Sequence, residues 1–322
     1  MQSITYQRYG GPEELTLEET AIPPVADDAV LVRVRASSVN AYDWHMLRGK
    51  PYLARFQEGF RSPKTHIFGL DAAGIVEAVG KDVTHLQPGD EVFGARIGAL
   101  AEFVSGRNFV AKPTNLTFEQ AAAIPVAGCT ALQALRDKGR LEAGQHVLVT
   151  GAGGGVGSFA VQIAKAWGAT VTAVTSTAKV EAVRAIGADD VIDHTRGEYT
   201  AAGGPYDLIV DAGSNRSLRA LRRVLAPGGA IVLVGPGTGN WLGPIARVAT
   251  AVVRSRLDRG RMLPFLSQIT RDDLLVLQGL AEAGQLTPMI DRVFPLRETA
   301  AALAHLESGR AAGKVVVSVG PT

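Results

Sequence analysis

The stretch that most restricts the folds open to this chain is HVLVTGAGGGVGSFAVQIAKAWG, residues 146–168. An apolar run of strand character, a turn with five glycines in the seven positions 151–157, and an amphipathic helical pattern follow one another without a break. A strand that feeds a glycine turn and then a helix makes an anion site. Main-chain N–H groups at the helix start point outward, and the helix dipole favours negative charge. Glycine in the turn keeps Cβ atoms out of the path of a diphosphate. The match is G-x-x-G-x-x-G through Gly151, Gly154 and Gly157, with Gly155 and Val156 between the last two. A strict G-x-G-x-x-G fails on Val156 and Ser158, and no Gly-Lys-Ser/Thr follows, which excludes a mononucleotide P-loop. Residues 151–157 are therefore expected to seat a dinucleotide's phosphates; the competing reading is a turn that only joins strand to helix.

The surroundings agree with the first reading. From 145 onward, strand-like runs (146–150, 170–176, 190–194, 206–213, 230–235) alternate with helical ones (156–168, 178–187, and 217–229 with a Pro-Gly stop). That alternation predicts a doubly wound parallel sheet, with ligands at the strands' carboxyl ends, where Gly213 and Gly235 lie. The first third differs. Short runs at 30–39, 68–80, 85–94, 102–106 and 109–113 are punctuated by Gly and Pro, which predicts a partly closed β domain. Between the two, 117–139 reads as a Thr-capped helix broken at Pro125 and a second helix ending at Gly139. In the tail, 262–267 reads as a short strand, 272–284 as a helix, 293–309 as a second helix, and GKVVVSV as a last strand returning to the first domain. The expected division is 1–120, completed by 263–322, and a nucleotide domain at 121–262.

Composition narrows the function. A length of 322 residues suits about two domains. A net charge of +2 without a dense Lys/Arg block excludes nucleic acid and acidic membrane surfaces as partners. The one cysteine, Cys129, makes no internal disulfide and no Cys-rich zinc site, and reads as a small buried hydrophobe. WLGPIARVATAVV is shorter than the roughly 20 apolar residues of a membrane span and carries Arg247. The start, MQSITYQRYG, lacks the apolar run of a signal peptide, so the expectation is a cytoplasmic enzyme or binding protein.

The cofactor's adenosine end should meet the strand after the turn. NAD-binding sites place an acid there, on the ribose 2′-hydroxyl. This strand ends Val174-Thr175-Ser176-Thr177 with no carboxylate, and Lys179 follows. Hydroxyls and an ammonium accept a 2′-phosphate, which predicts NADPH; the same hydroxyls also suit capping of the next helix.

With VNAYDWHMLRG (39–49), GLDAAGIVEAVG (69–80), HLQPGDEVFG (85–94), AAAIPVAGCTAL (121–132), VLVTGAGGGVGSFAVQIAK (147–165) and the closing GKVVVSV, the chain resembles the medium-chain dehydrogenase/reductase superfamily over nearly its whole length. Within it, the chain resembles the zinc-free quinone oxidoreductase (zeta-crystallin-like) branch. The resemblance implies a GroES-like β domain, a Rossmann domain and an active site in the cleft between them. Zinc alcohol dehydrogenases of the superfamily carry a catalytic Cys where this chain has Asn40, and Gly-His-Glu where it has Gly69-Leu70-Asp71. The six histidines (His45, His66, His85, His146, His194, His305) show no paired spacing, so no metal is expected. Without a Lewis acid, the expected reaction is hydride transfer from NADPH to a quinone or an α,β-unsaturated carbonyl.

The resemblance also assigns residues. Asn40 would line the nicotinamide end, bonding the ribose or the substrate oxygen; Asp43 either shares that place or anchors its own loop. Thr130 would lie near the carboxamide, Gly213 and Gly235 beside the nicotinamide riboside, and Lys314 would reach the cofactor from the β domain. His194 stands where relatives place an aromatic residue beside adenine, or sits on the surface. His45, where the family often carries tyrosine, is either the proton donor or a solvated side chain. Segments 52–68 and 239–257, with Phe56, Phe60 and Trp241, would border an entry for an apolar or aromatic substrate, or serve as packing. RMLPFLSQ resembles a segment that pairs edge strands in a homodimer. Two rival functions stand beside this one. An enoyl-thioester reductase would use Arg48, Lys50, Arg55, Arg61 and Lys64 as a basic rim. A non-catalytic NADP(H)-binding sensor or structural protein would bind the cofactor without turnover.

Overall fold

A computed structural model describes residues 1–50, 52, 55, 59, 62–63, 66–200, 203–213, 216–234 and 261–320. Its contacts divide the chain into two compact units. One holds Met1–Cys129, Ile269–Gly284 and Pro288–Thr322, the other Thr130–Gln268 and Gln285–Thr287.

The first unit opens with an antiparallel pair, β1 (Gln2–Thr5) and β2 (Thr16–Glu19). Five strands follow: β3 (Val30–Val39), β4 (Asp71–Val79), β5 (Glu91–Ala95), β6 (Phe103–Gly106) and β7 (Phe109–Ala111). They pair antiparallel in the order β3-β4-β5-β7, with β6 on β3. The core under them gathers Val32, Val34, Val92, Leu100, Phe109 and Val317, all essentially buried. Each such side chain is worth about 1.5–3 kcal/mol on removal from water. At the end of β3, Asn40 turns the chain into a helix, Ala41–Arg48, which Gly49 closes in the left-handed region at φ 55°.

The second unit holds six parallel strands: β8 (His146–Thr150), β9 (Thr170–Thr175), β10 (Asp190–Asp193), β11 (Tyr206–Asp211), β12 (Leu225–Val234) and β13 (Arg261–Phe265). Their order among the described residues is β10-β9-β8-β11-β12-β13. The order reverses between β8 and β11, so the glycine turn after β8 sits at the topological switch point, where open α/β sheets bind their ligands. The helix after the turn, Gly155–Ala166, is buried from Gly157 to Ala164, which matches its apolar sequence and its place against the sheet.

The chain then returns. β14 (Ile290–Pro295) pairs parallel with β15 (Lys314–Ser318), and β15 pairs antiparallel with β3, Val315 opposite Val39. The last strand thus completes the first sheet, as its sequence suggested.

Three local expectations differ from the structure. The helix expected over 217–229 runs only Leu218–Arg223, because Leu225 pairs with Tyr206 and the Pro227-Gly228 bend lies inside β12. The segment 293–309 begins in β14, and its helix covers Thr299–Glu307. The units divide after Cys129 and Gln268 rather than after 120 and 262. The helix Phe118–Ala122 packs on β3 and β4, and β13 extends the parallel sheet beside β12.

Candidate functional site

In the parallel unit, the start of helix Gly155–Ala166 has no side-chain cap. The first backbone bond closing it is Ser158 N–H to the Gly154 carbonyl, 3.0 Å, which leaves the N–H groups of Gly155, Val156 and Gly157 outside the helical ladder. Gly154, Gly155 and Val156 are partly exposed. The glycines are steric necessities in two places. Gly151 has φ 66°, and a Cβ on it would lie 3.0 Å from Gly213 Cα; a Cβ on Gly157 would lie 2.2 Å from the Gly151 carbonyl. The result is a cradle of bare main chain that a diphosphate fits and that side chains would fill.

Thr175, at the end of β9, is buried. Its hydroxyl and the Lys179 side chain both lie over Gly153, 2.6 and 2.7 Å from where a Cβ would stand. Ser176 is partly exposed beside them. His194 is exposed, and its N–H is tied to the Thr175 carbonyl at 3.0 Å. The fold thus brings Thr175, Ser176, Lys179 and His194 to one corner, next to the glycine turn. It also brings there a carboxylate that neighbours in sequence do not supply. Asp193, at the end of β10, accepts from Thr177 Oγ1 at 2.5 Å and from Thr195 Oγ1 at 2.7 Å, with Arg196 at 3.3 Å. The Thr177 and Thr195 hydroxyls, helped by Arg196, pull this carboxyl down to about 2. Under the turn, Thr150 Oγ1 donates to Asp211 Oδ1 at 2.7 Å, joining the ends of β8 and β11.

Thr130 lies in this unit, nearly buried, with its hydroxyl 2.7 Å from Ser267 Oγ. Gly235 and Trp241 lie outside the described residues, as do Phe56, Phe60, Arg61 and Lys64. Of the remaining basic rim, Arg48 is committed to Glu307 at 2.7 Å, while Arg55 donates to the Gly49 carbonyl at 2.9 Å and stacks on Tyr9.

In the β unit, the residues expected at the nicotinamide end form a buried polar cluster. Asn40 Nδ2 donates to Asp71 Oδ2 at 2.8 Å, and Ser38 Oγ donates to the same oxygen at 2.6 Å. The Lys314 ammonium donates to Asn40 Oδ1 and, at 3.2 Å, to Asp71 Oδ2. Asp71 Oδ1 accepts the Val126 N–H at 2.9 Å, the start of helix Pro125–Gln133. Asp71 is 0% exposed and Lys314 is 2% exposed, so each charge depends on the other. Asp43 Oδ2 accepts the Asn40 N–H at 2.7 Å, closing the first turn of its helix. Burial and then the nearby Asp71 charge push its carboxyl up to about 7, against the opposing pull of Asn40 and Lys314. Asp43 thus anchors the first turn of its helix, the second of its two expected roles, and lies within reach of the Asp71 charge. His45 is turned elsewhere. Its Nδ1 lies 3.0 Å from the Lys50 carbonyl, its ring stands edge-on to Trp44 at 4.4 Å, and burial lowers its pKa.

Asp71 is the residue that sequence reasoning missed. It entered only as the occupant of a position where zinc enzymes carry Glu. Its signal was a carboxylate opening an otherwise apolar strand, DAAGIVEAV. Among the described residues, no three His, Cys, Asp or Glu are grouped as metal ligands would be. No helix among them is long and apolar enough to cross a membrane.

Comparison with known proteins decides the family. The alcohol dehydrogenase GroES-like domain matches residues 26–160, and the zinc-binding dehydrogenase family matches 186–317. The mouse (Mus musculus) mitochondrial NAD(P)H oxidoreductase RTN4IP1 is 34% identical over 99% of this chain and 89% of its own length. The chain belongs to the medium-chain dehydrogenase/reductase superfamily, in its zinc-free quinone oxidoreductase branch. Another relative in the superfamily, the chloroplastic NADPH-dependent alkenal/one oxidoreductase of Arabidopsis thaliana, is 33% identical over 98% of this chain and 79% of its own length. Among solved medium-chain enzymes, the quinone oxidoreductase from Coxiella burnetii superposes with a TM-score of 0.86 at 29% identity, covering 99% of both chains.

Proposed function

We propose that this protein is a zinc-independent, NADPH-dependent reductase that delivers a hydride to a quinone or an α,β-unsaturated carbonyl of apolar or aromatic character. The observation that carries the reading is the uncapped helix start at Gly155, Val156 and Gly157, joined to the glycine-lined turn at the sheet's switch point. Those N–H groups would hold the diphosphate, and Thr175, Ser176 and Lys179 would hold the 2′-phosphate, with His194 at the adenine edge. When bound, the nicotinamide supplies the hydride. The chain's own part is to orient and to supply charge. Asn40 and Lys314, held in a buried hydrogen-bonded network, would contribute polar groups to the reaction, and Thr130, Gly213 and Gly235 would flank the nicotinamide riboside. Positioning of this kind can supply about 7–11 kcal/mol of barrier lowering, while the cofactor carries the chemistry.

Two of the described rim cations are engaged, Arg48 by Glu307 and Arg55 by main-chain carbonyls, which leaves Lys50 among the described rim residues for a coenzyme A phosphate and supports a small apolar substrate over an enoyl thioester. Strand β13 is an edge of its sheet among the described residues, with open main-chain groups on one side. It supports a homodimer formed through that edge.

The test is a panel of quinones, enones and enoyl thioesters with NADPH and NADH, read by loss of nicotinamide absorbance, with zinc measured on the purified protein. Turnover of quinones or enones, faster with NADPH and without stoichiometric zinc, is expected. Turnover of thioesters alone would move the assignment to enoyl reduction. Tight NADPH binding with no turnover on any acceptor would make the chain a sensor or structural protein.

A further inference from the structure

An acid at the adenosine end of a dinucleotide site binds the ribose 2′-hydroxyl of NAD(H) and opposes a 2′-phosphate. β9 ends without such an acid, yet its neighbour β10 ends in Asp193. Asp193 is the register partner of Thr175, so the two stand one strand spacing apart, about 4.8 Å, at the carboxyl ends of their strands. Thr175 in turn holds its hydroxyl over Gly153 of the phosphate turn. Every residue of this corner belongs to the parallel unit. The fold therefore sets an NADH-type carboxylate beside hydroxyls and an ammonium suited to NADPH.

The hydrogen bonds of Asp193 resolve the conflict. A carboxylate offers about four lone-pair sites on its two oxygens. Oδ1 accepts the Thr195 N–H at 2.9 Å and the Thr195 hydroxyl at 2.7 Å. Oδ2 accepts the Thr177 hydroxyl at 2.5 Å and faces Arg196 Nε at 3.3 Å. Four donors thus meet four sites. The bond from the Thr195 N–H is the ordinary turn of an Asp on its own backbone. The bond from Thr177 is not local: its hydroxyl reaches Asp193 from 16 positions earlier in the chain, after a different strand. Nor is that hydroxyl spent on capping. Ser176, which begins the short turn Thr177–Lys179, makes no side-chain capping bond, and the single Thr177 proton goes to the carboxylate. Thr177 and Thr195 are exposed while the Asp193 side chain is only 12% exposed, so the donors lie outside the acid and cover it.

Resting on the NADPH reading above, we propose that Thr177 and Thr195 set cofactor choice by masking Asp193. Their hydroxyls hold the lone pairs that the 2′-hydroxyl of NADH would need. NADH gains no acceptor at this corner, and Thr175, Ser176 and Lys179 decide the outcome in favour of the 2′-phosphate. The charge of Asp193 remains and still weighs against the phosphate; what the two hydroxyls remove is its use as an acceptor. Thr177 and Thr195 are positioning residues in this scheme. They act through Asp193 and not on the cofactor.

The test is a four-way comparison of wild type, Thr177→Val/Thr195→Val, Asp193→Asn and the triple variant. Valine keeps the branched shape of threonine without its hydroxyl. Dissociation constants of NADPH and NADH are measured by nicotinamide fluorescence on cofactor-free protein, so the result does not depend on an acceptor. T177V/T195V should lower the preference for NADPH over NADH by roughly tenfold, the worth of one hydrogen bond to a charged group, through tighter NADH binding. In the D193N background the same two substitutions should change the preference by less than about twofold, because no carboxylate is left to unmask. Two results overturn the proposal. One is a T177V/T195V preference equal to that of the wild type. The other is a fall that persists in the triple variant, which would place the two hydroxyls on the 2′-phosphate itself. T177V alone, which leaves the Thr195 turn intact, should shift the preference in the same direction, and it keeps the test standing where the double variant does not fold. A wild type that binds NADH as tightly as NADPH overturns the NADPH reading, a result distinct from an NADPH-preferring wild type whose preference ignores Thr177 and Thr195.

Discussion

The two regions that the function draws on are built from opposite materials. The phosphate turn of the parallel unit is main chain: N–H groups, glycines and close approaches, with few side chains taking part. The cluster of the β unit is mainly side chain: two carboxyl groups, an amide, a hydroxyl and an ammonium, from segments distant in sequence, with the Val126 and Asn40 N–H groups as its main-chain donors. A main-chain site depends on shape alone, so substitution can break it but not retune it. A side-chain site depends on charge balance, so a single isosteric change moves its pKa while the fold remains.

The sharpest break comes from the charge side. Lys314→Met leaves Asp71 buried without its cation, a loss of about 3–5 kcal/mol for a broken buried pair, read by chemical denaturation at pH 7.5. Lys314→Met combined with Asp71→Asn should recover much of that loss, since the uncompensated charge is gone. Gly157→Ala breaks the other region by shape. Its Cβ would stand 2.2 Å from a carbonyl oxygen, and the cost should reach about 3 kcal/mol, the upper end of overpacking penalties. Thermal unfolding without cofactor should reveal this loss, and no second substitution that changes only charge should restore it.

A subtler contrast is in pH. Asp43 has its folded pKa raised from 3.8 to about 7, so its stabilising effect is complete below about 4 and is lost as pH climbs through 7. Across that window stability should fall by about 1.4 kcal/mol per unit from this group, a slope that Asp43→Asn removes. The glycine turn holds no titrating group and contributes no such slope. The smallest effect is expected where the two materials meet, at the adenosine corner. Asp193→Asn removes a largely covered negative charge beside Thr177 and should raise preference for NADPH over NADH by roughly threefold, an effect that added salt weakens. An unchanged ratio would mean that the 2′-phosphate does not approach that corner.

This division of materials also explains what could be read from the sequence. The parallel unit was legible because its logic is local. The run from β8 through Gly151–Gly157 into the next helix is contiguous, and strand–helix alternation announces a doubly wound sheet. The β unit's sheet was legible in outline from Gly- and Pro-punctuated runs, and β15 was correctly expected to return to it. Local patterning failed where pairing overrode propensity. LRALRRVLAPGG reads as one helix, yet Tyr206 pairs with Leu225 and draws its second half into β12. The cluster was half legible. Asn40, Asp43 and Lys314 were named through resemblance, but their hub, Asp71, was not, because nothing in a one-dimensional spacing places Ser38, Val126 and Lys314 on one carboxylate. The same limit hid Asp193. A strand end without an acid was read as a corner without an acid, and β10 supplied one from the neighbouring strand.

Gly151 and Gly213 face each other closely: a Cβ on either would stand 3.0–3.1 Å from the other's Cα, and both already carry the smallest side chain available. A pair of this kind has no reciprocal solution: enlargement at one position cannot be offset by shrinkage at the other. Among the descendants of this chain, Gly151, which also holds φ 66°, should therefore drift least, while a methyl group at Gly213 requires its neighbour to yield by a few tenths of an ångström, before any demand from the ligand is counted.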